Sequence, residues 1–259
     1  MGRRASVSNH PPPRLRATPG AERTEGRPPR TTPPATSVRW IESGNSMTIN
    51  ENVVVIWTES EPASDGLSAL ARDHGGQLLA AGPVDGASEL DARPAPAGLV
   101  IARFGAADAA RSWFGAITDG VDGVAMLLGG ATDPVWWPTE IDDQRPNWSR
   151  TAEFPDDRLG QFVSVWVGEI TDLEQFFDYS VHYRWTVEHG GGVVLSPGSS
   201  PRMEVLLGDP APVAMALMAW PEDGEARRKW YEGSQYRPYR NQRHGASRTS
   251  NVSVRALGL

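Results

Sequence analysis

Four short segments recur in the same order further along the chain, and this recurrence constrains the fold more than any other feature. Val53-Val54-Val55-Ile56-Trp57 matches Phe162-Val163-Ser164-Val165-Trp166, and His74-Gly75-Gly76 matches His189-Gly190-Gly191. Leu99–Phe104 matches Met215–Trp220, and Ala110-Arg111-Ser112-Trp113-Phe114 matches Arg227-Arg228-Lys229-Trp230-Tyr231. The offsets of 109, 115, 116 and 117 residues grow slowly, as loops of unequal length would make them. The expectation is a duplicated unit of about 100 residues.

Each unit reads strand, helix, strand, strand, helix, strand. In the second, Gln161–Gly168 is a β-rich run. Thr171 or Asp172 can N-cap a helix whose positions Leu173, Phe176, Phe177, Ser180, Tyr183 and Val187 keep helical spacing, and Gly190-Gly191-Gly192 ends it. Val193–Ser196 and Val213–Trp220 are strands, Glu222–Tyr231 and Ser234–Gly245 are helical, and Asn251–Leu257 is the closing strand. The first unit has matching elements near 52–58, 62–74, 77–84, 98–104, 106–116 and 123–129. Its first helix is shorter by about five residues, and it lacks the second helical stretch before the last strand. A β-α-β-β-α-β unit forms a four-stranded antiparallel sheet with both helices on one face. The other face is apolar and must be covered. The fold class expected is therefore α+β: tandem ferredoxin-like repeats packed sheet to sheet as an intramolecular barrel, with a cleft between each sheet and its own helices.

Four regions follow. Residues 1–46 hold eight of the 22 prolines and few apolar groups, and are expected to be a disordered basic tail, with the true start at or near Met47 as one account of it. Residues 47–130 are the first, degenerate repeat, 131–160 a connector rich in Trp, Pro and Asp, and 161–259 the second repeat. Trp136, Trp137 and Trp148 make the connector too apolar for a free linker; it reads as a strap over an exposed edge or as a lid over a cleft. Eight Arg against three Glu give the tail +5, which leaves −12 on residues 47–259 out of −7 for the chain. An acidic body argues against a nucleic-acid platform. There is no Cys, so disulfides, thiolate metal sites and a Cys nucleophile are excluded. No apolar run is long enough to span a membrane and no secretory signal is present, so the expected place is the cytoplasm. Phosphate-cradling glycine loops, nucleophile-elbow serines and His-Glu-x-x-His are absent, and five His show no metal-ligand spacing. No metal and no nucleotide cofactor is expected; a single axial His leaves haem open.

The second half resembles the DUF1330 family, a branch of the dimeric α+β barrel superfamily. The resemblance rests on Asp172, Phe176 and Tyr179, on His189-Gly190-Gly191, on Gly208-Asp209, on Trp220-Pro221, and on Ala226 through Trp230-Tyr231, Ser234, Tyr236 and Arg243. The spacing Trp230-Tyr231-x4-Tyr236-x6-Arg243 is its most specific part, and it covers about residues 161–257. It implies small-molecule chemistry of the superfamily's kinds: cofactor-independent monooxygenases, polyketide cyclases, lactone isomerases and some haem enzymes. Leu207 stands where the family pattern has an acid before Gly208, and nothing in the first half matches the Tyr-to-Arg segment. The first repeat is thus expected to be a structural partner and the second to hold the site.

Arg243 lies in the densest cationic cluster of the acidic body, with Arg237, Arg240, His244 and Arg248. Tyr236, Arg240 and Arg243 share one helix face, which suits recognition of a carboxylate or enolate; the alternative is salt bridging to Asp156, Asp157 or Glu222. His182 suits proton transfer with Asp178 four residues before it, or is a plain exposed histidine. His189 reads as a helix-end histidine. All five tyrosines, Tyr179, Tyr183, Tyr231, Tyr236 and Tyr239, fall in the second repeat, where they either line a cleft or simply pack.

The catalytic candidates are His182, Tyr183 and Arg243, and the substrate-binding candidates are Tyr179, Trp230, Tyr231, Tyr236, Tyr239 and Arg240. The function expected is a cofactor-independent enzyme on a small aromatic or carbonyl-bearing metabolite, working by proton transfer in a cyclisation, isomerisation, elimination or oxygenation. The alternative is a non-catalytic small-molecule-binding or scaffold protein. The only partner expected is the substrate, in a monomer with an internal pseudo-dimer or in a homodimer.

Overall fold

Val53–Trp57 and Leu99–Ala102 are apolar at every position, the pattern of strands buried on both faces. The computed structural model, which describes residues 46–47, 52–118, 121–129, 154–155, 159–196, 203–209, 212–221 and 224–257, forms strands from these runs. Most of the expected tail and connector, Trp136, Trp137 and Trp148 included, lies outside the described residues, as do Asp156, Asp157 and Glu222.

In chain order the elements are β1 (Ser46–Met47), β2 (Asn52–Thr58), α1 (Leu67–Asp73), β3 (Gly76–Pro83), β4 (Gly86–Ser88), β5 (Gly98–Phe104), α2 (Ala107–Ile117) and β6 (Val124–Leu128). They continue as β7 (Phe154–Pro155), β8 (Leu159–Ile170), α3 (Leu173–His189), β9 (Val193–Ser196), β10 (Met203–Leu207), β11 (Ala214–Pro221), α4 (Glu225–Glu232), α5 (Arg237–Ala246) and β12 (Ser247–Arg255). Strands β1 and β7 pair only with each other.

The other strands form two five-stranded antiparallel sheets, in the orders β10-β6-β2-β5-β3 and β4-β12-β8-β11-β9. Within each half the four main strands therefore follow the order fourth, first, third, second. The fifth strand of each sheet comes from the other half. β4, between β3 and β5, pairs with β12 through Ser88 opposite Asn251. β10, between β9 and β11, pairs with β6 through Met203 opposite Leu128. These two exchanged strands were not expected from sequence. They are short, β10 leaves Glu204 and Val205 exposed, and β4 is Gly-Ala-Ser, so neither has an apolar signature.

The sheets face each other across one core. Val53, Val55, Trp57, Leu99 and Ile101 of the first half pack with Phe162, Trp166, Met215, Leu217, Val252 and Val254 of the second. Trp57 and Trp166, equivalent in the repeated motif, meet at 5.2 Å between ring centroids. Two further cores lie between each sheet and its helices. α2 buries Ala110, Trp113, Phe114 and Ile117 on the first sheet. α3 buries Tyr179, Tyr183 and Val187, one helical stripe, on the second.

Asp172 is the N-cap of α3, its carboxylate accepting from the Gln175 amide at 3.0 Å. Gly191, with φ at 91°, takes the left-handed turn after the helix. Gly75 does the same after α1, at 71°. The following glycines also correspond: a Cβ at Gly76 would lie 2.2 Å from the Phe104 ring, and one at Gly192 would lie 2.8 Å from Trp220. The matched pairs are thus Gly75-Gly76 and Gly191-Gly192, one residue on from the pairing expected. α1 is the larger departure: it has 7 residues against 17 for α3, because the chain enters it through Gly66 in the left-handed conformation and starts the helix only at Leu67.

Trp57 is fully buried, and its Nε1 donates to Ser164 Oγ at 2.9 Å across the barrel. Ser164→Ala leaves that indole N–H without an acceptor in a dry interior and should cost about 1–3 kcal/mol. Urea unfolding with an unchanged m-value is the check.

Candidate functional site

The strand exchange carries one carboxylate out of the first half and into the second. β4 is held against β12, and on either side Asp85 N bonds to Ser253 O at 2.9 Å and Asp91 N to Thr249 O at 3.0 Å. Between them Glu89 takes φ of 54°, a left-handed conformation that a non-glycine residue adopts at a cost. The turn aims its side chain beneath α4 and α5.

Five side chains of the second half donate to that carboxylate. They are the hydroxyl of Tyr231, the guanidinium Nη2 of Arg243, His244 Nε2 at 2.6 Å, Asn251 Nδ2 at 2.8 Å and Thr249 Oγ1 at 3.3 Å. Local structure explains the convergence. Thr249 and Asn251 alternate along β12 with Val252 and Val254, which face the barrel core, so they lie on the helix side of the sheet. Arg243 and His244 close α5, and Tyr231 closes α4. The side chains of Arg243 and Glu89 are 2% and 8% exposed, whereas that of His244 is 41% exposed. The ion pair is sealed, and His244 connects it to solvent.

A carboxylate only accepts, so the His244 nitrogen facing Glu89 is an N–H; in the neutral imidazole Nδ1 is then the accepting nitrogen, and it has no hydrogen-bond partner among the described residues. Burial works against the Arg243 charge, but the phenols of Tyr236 and Tyr179 and the Glu89 carboxylate outweigh it, so the guanidinium is held more firmly protonated than a free arginine. Burial pushes the Tyr236 phenol well above the ordinary tyrosine value, with Arg243 pulling the other way. Tyr236 is therefore a neutral phenol at physiological pH rather than a base.

The residues singled out in the sequence fall into two groups. Tyr179, Tyr231, Tyr236, Arg240 and Arg243 come together. The Arg243 guanidinium lies 5.7 Å from the Tyr179 ring centroid, and the Tyr179 and Tyr236 hydroxyls are 3.4 Å apart. Trp230 stacks on Tyr236 at 3.9 Å, and Tyr183 stacks on Tyr179 at 5.5 Å. Arg240 lies 5.0 Å from the Tyr231 ring centroid and donates to the Tyr231 carbonyl at 3.2 Å. His182 and Tyr239 form the second group. They stack on each other at 5.3 Å in the seam between α3 and α5, and His182 Nδ1 lies 2.8 Å from the Asp178 carbonyl. Nothing joins His182 to Glu89; the histidine on the carboxylate is His244.

Glu89, Thr249 and Asn251 were not legible as site residues. Glu89 belongs to the other half, and only the strand exchange brings it in. It also changes the meaning of Leu207. That segment pairs with β6, and Leu206 and Leu207 pack into the apolar core of the first half. The acid missing there is missing from the first cleft, while the second receives Glu89. The first cleft matches its loss: Phe114, which follows Trp113 as Tyr231 follows Trp230, has no hydroxyl to donate.

A cavity of about 600 Å³ opens beside the cluster, lined by Gly190, Pro221, Lys229, Trp230, Ser234 and Gln235 among others. It includes none of Glu89, Arg243 and His244 and shares only Trp230 with the aromatic wall. The cavity and the polar convergence are thus separate features that meet near Trp230.

Fold and site together define an α+β barrel of two facing ferredoxin-like sheets with one polar, ion-paired cleft. Residues 163–257 match the family model described as a domain of unknown function, DUF1330, nearly the span on which the resemblance was drawn. No curated protein matches the chain. Among solved structures, one from Lactobacillus acidophilus NCFM described as a "putative monooxygenase" aligns at 12% identity with a TM-score of 0.41, over 81% of this chain and 98% of that one. No helix among the described residues is long and apolar enough to cross a membrane.

The Tyr236 shift has a direct consequence for stability. Its folded-state pKa is raised above the unfolded value of about 10, so its contribution is intact below pH 10 and is lost as pH rises further. Wild-type stability should fall between pH 10 and 11 more steeply than that of Tyr236→Phe, by up to about 1.4 kcal/mol per pH unit, the effect of one proton. Urea melts of the two proteins across that range read it.

Proposed function

We propose that the chain is an enzyme that moves a proton on a small carbonyl-bearing metabolite, with His244 as the general base and Glu89 as the residue that orients it. One observation carries this reading. A buried carboxylate fixes one nitrogen of a histidine whose other nitrogen is free and whose side chain is partly open to solvent. In the step proposed, the C–H electron pair stays on carbon as a carbanion or enolate. The proton goes to His244 Nδ1, and the imidazolium so formed is stabilised by Glu89.

Arg243 is too deeply buried to touch a substrate and acts as a positioning residue, neutralising and fixing Glu89. Trp230 supplies the wall shared with the cavity. Cyclisation, isomerisation, elimination and cofactor-free oxygenation can all begin with this proton abstraction. The reading of the chain as a tandem duplication is supported by the four matched segments and by the common strand order.

A second reading has its own support. Glu89 has five donors and little exposure, as would befit a lock that pins the exchanged strand in a ligand-binding or scaffold protein. Deuterium exchange separates the two without knowledge of the final product. Proton NMR in D₂O, on a panel of 1,3-dicarbonyl compounds and aryl keto acids, should show protein-catalysed loss of the acidic C–H signal. His244→Asn should slow it about 100-fold or more. Exchange that survives this substitution unchanged overturns the assignment. Under the lock reading no compound exchanges faster than in buffer. Under either, Glu89→Gln leaves a buried guanidinium unpaired and lowers stability by about 3–5 kcal/mol.

A further inference from the structure

α5 presents two arginines that the ion-pair network does not use. Arg237 and Arg240 precede His244 at spacings of three and four residues, along one side of the helix. The body that carries them is acidic, −12 over residues 47–259 of the −7 chain once the +5 tail is set aside. Among the described residues neither arginine pairs with a carboxylate. Arg237 donates to the Glu232 carbonyl at 3.4 Å, and Arg240 to the Tyr231 carbonyl at 3.2 Å. Other exposed arginines do have acidic partners: Arg111 pairs with Asp108 and Glu204, and Arg248 with Glu169.

Arg240 is also held in place. Its guanidinium lies 5.0 Å from the Tyr231 ring centroid, and the hydroxyl of the same Tyr231 donates to Glu89, which in turn fixes His244. Arg240, Tyr231, Glu89 and His244 are therefore one connected unit, with a guanidinium that pairs with no acid among the described residues at one end and the outer imidazole nitrogen at the other.

We infer that the substrate of the site proposed above carries an anionic group, a carboxylate or a phosphate, which Arg240 binds with support from Arg237 while the acidic C–H faces His244. The inference rests on the proton-transfer reading and adds the substrate class. Helix geometry sets the spacing. At 1.5 Å per residue the backbone positions of Arg240 and Arg237 lie about 6 Å and 10 Å along the axis from that of His244, which sets the scale of anion-to-carbon separation to test. A planar guanidinium with free N–H groups suits the two oxygens of a carboxylate or a phosphate.

The test compares pairs of carbonyl compounds that differ only in a carboxylate placed 6–10 Å from the acidic C–H, against its methyl ester. In the wild type the anionic member should have the higher kcat/KM for deuterium exchange, through KM, and the preference should shrink in 0.5 M NaCl. Arg240→Gln should reduce the ratio of anionic to neutral kcat/KM about ten- to a hundredfold, and Arg240→Lys should restore part of it. Inorganic phosphate and glutarate should raise the melting temperature of the wild type more than that of Arg240→Gln.

Equal exchange rates for ester and acid, with no phosphate or glutarate effect, overturn the inference and leave the proton-transfer reading standing. Arg240-dependent anion binding without exchange of any compound supports the anion site and overturns the proton-transfer reading instead.

Discussion

A carboxylate and a guanidinium buried against each other tie the two halves of this chain together. Taking either charge out of water is expensive, and only a close partner with well-formed hydrogen bonds offsets it. Glu89 comes from the first half, and Arg243, His244, Tyr231, Thr249 and Asn251 come from the second. The exchanged strand is thus more than an edge cover. If β4 left β12, Arg243 would remain in a site 2% exposed with no counter-charge. The barrel core sets the relative position of the sheets by apolar packing, which tolerates small shifts. The ion pair fixes the register of one strand on the other, which is a stricter demand.

The same exchange operates on the other side with opposite chemistry. β10 brings Leu206 and Leu207 to the first sheet, where they pack against the apolar cluster that contains Trp113, Phe114 and Leu127. Tyr231 with Glu89 and Phe114 with Leu206 and Leu207 are consistent pairs, since a hydroxyl facing leucine or a carboxylate facing phenylalanine would bury a polar group without a partner. The two clefts share strand order and helix placement, and only one is polar. Fold does not choose the function here; the side chains brought in on the exchanged strands do.

What sequence reasoning could and could not reach follows this division. The main strands and helices announce themselves through continuous β-branched runs, the Asp172 cap and the Gly191 turn, because each depends on neighbours a few residues away. The tyrosine and arginine side of the cleft is also visible, because Trp230, Tyr231, Tyr236 and Arg243 lie within 14 consecutive residues of one chain segment. The acid is not. Glu89 lies 154 residues from Arg243, after a three-residue strand with no apolar pattern, in a backbone conformation that its residue type does not favour. His244 goes unnoticed as the carboxylate's partner for the same reason. His182 has an acid four residues before it, which helical spacing makes visible, while the carboxylate on His244 arrives from the other half.

The way the cluster is saturated bears on which of its members can act. A carboxylate that already accepts from a tyrosine, a guanidinium, an imidazole, an amide and a hydroxyl has little capacity left to take a proton from a substrate. Arg243 is enclosed, and the Tyr236 phenol is held neutral. If the cluster acts on a substrate as proposed, the acting member is the one that is ordered on one side and open on the other. His244 has that position, 41% exposed and fixed through Nε2. Arg240 has the corresponding one through Tyr231, its head anchored by a carbonyl and a ring, with no acid on it among the described residues. In the proposed reading the buried ion pair is the rigid base from which a proton acceptor, His244, and an anion receptor, Arg240, extend.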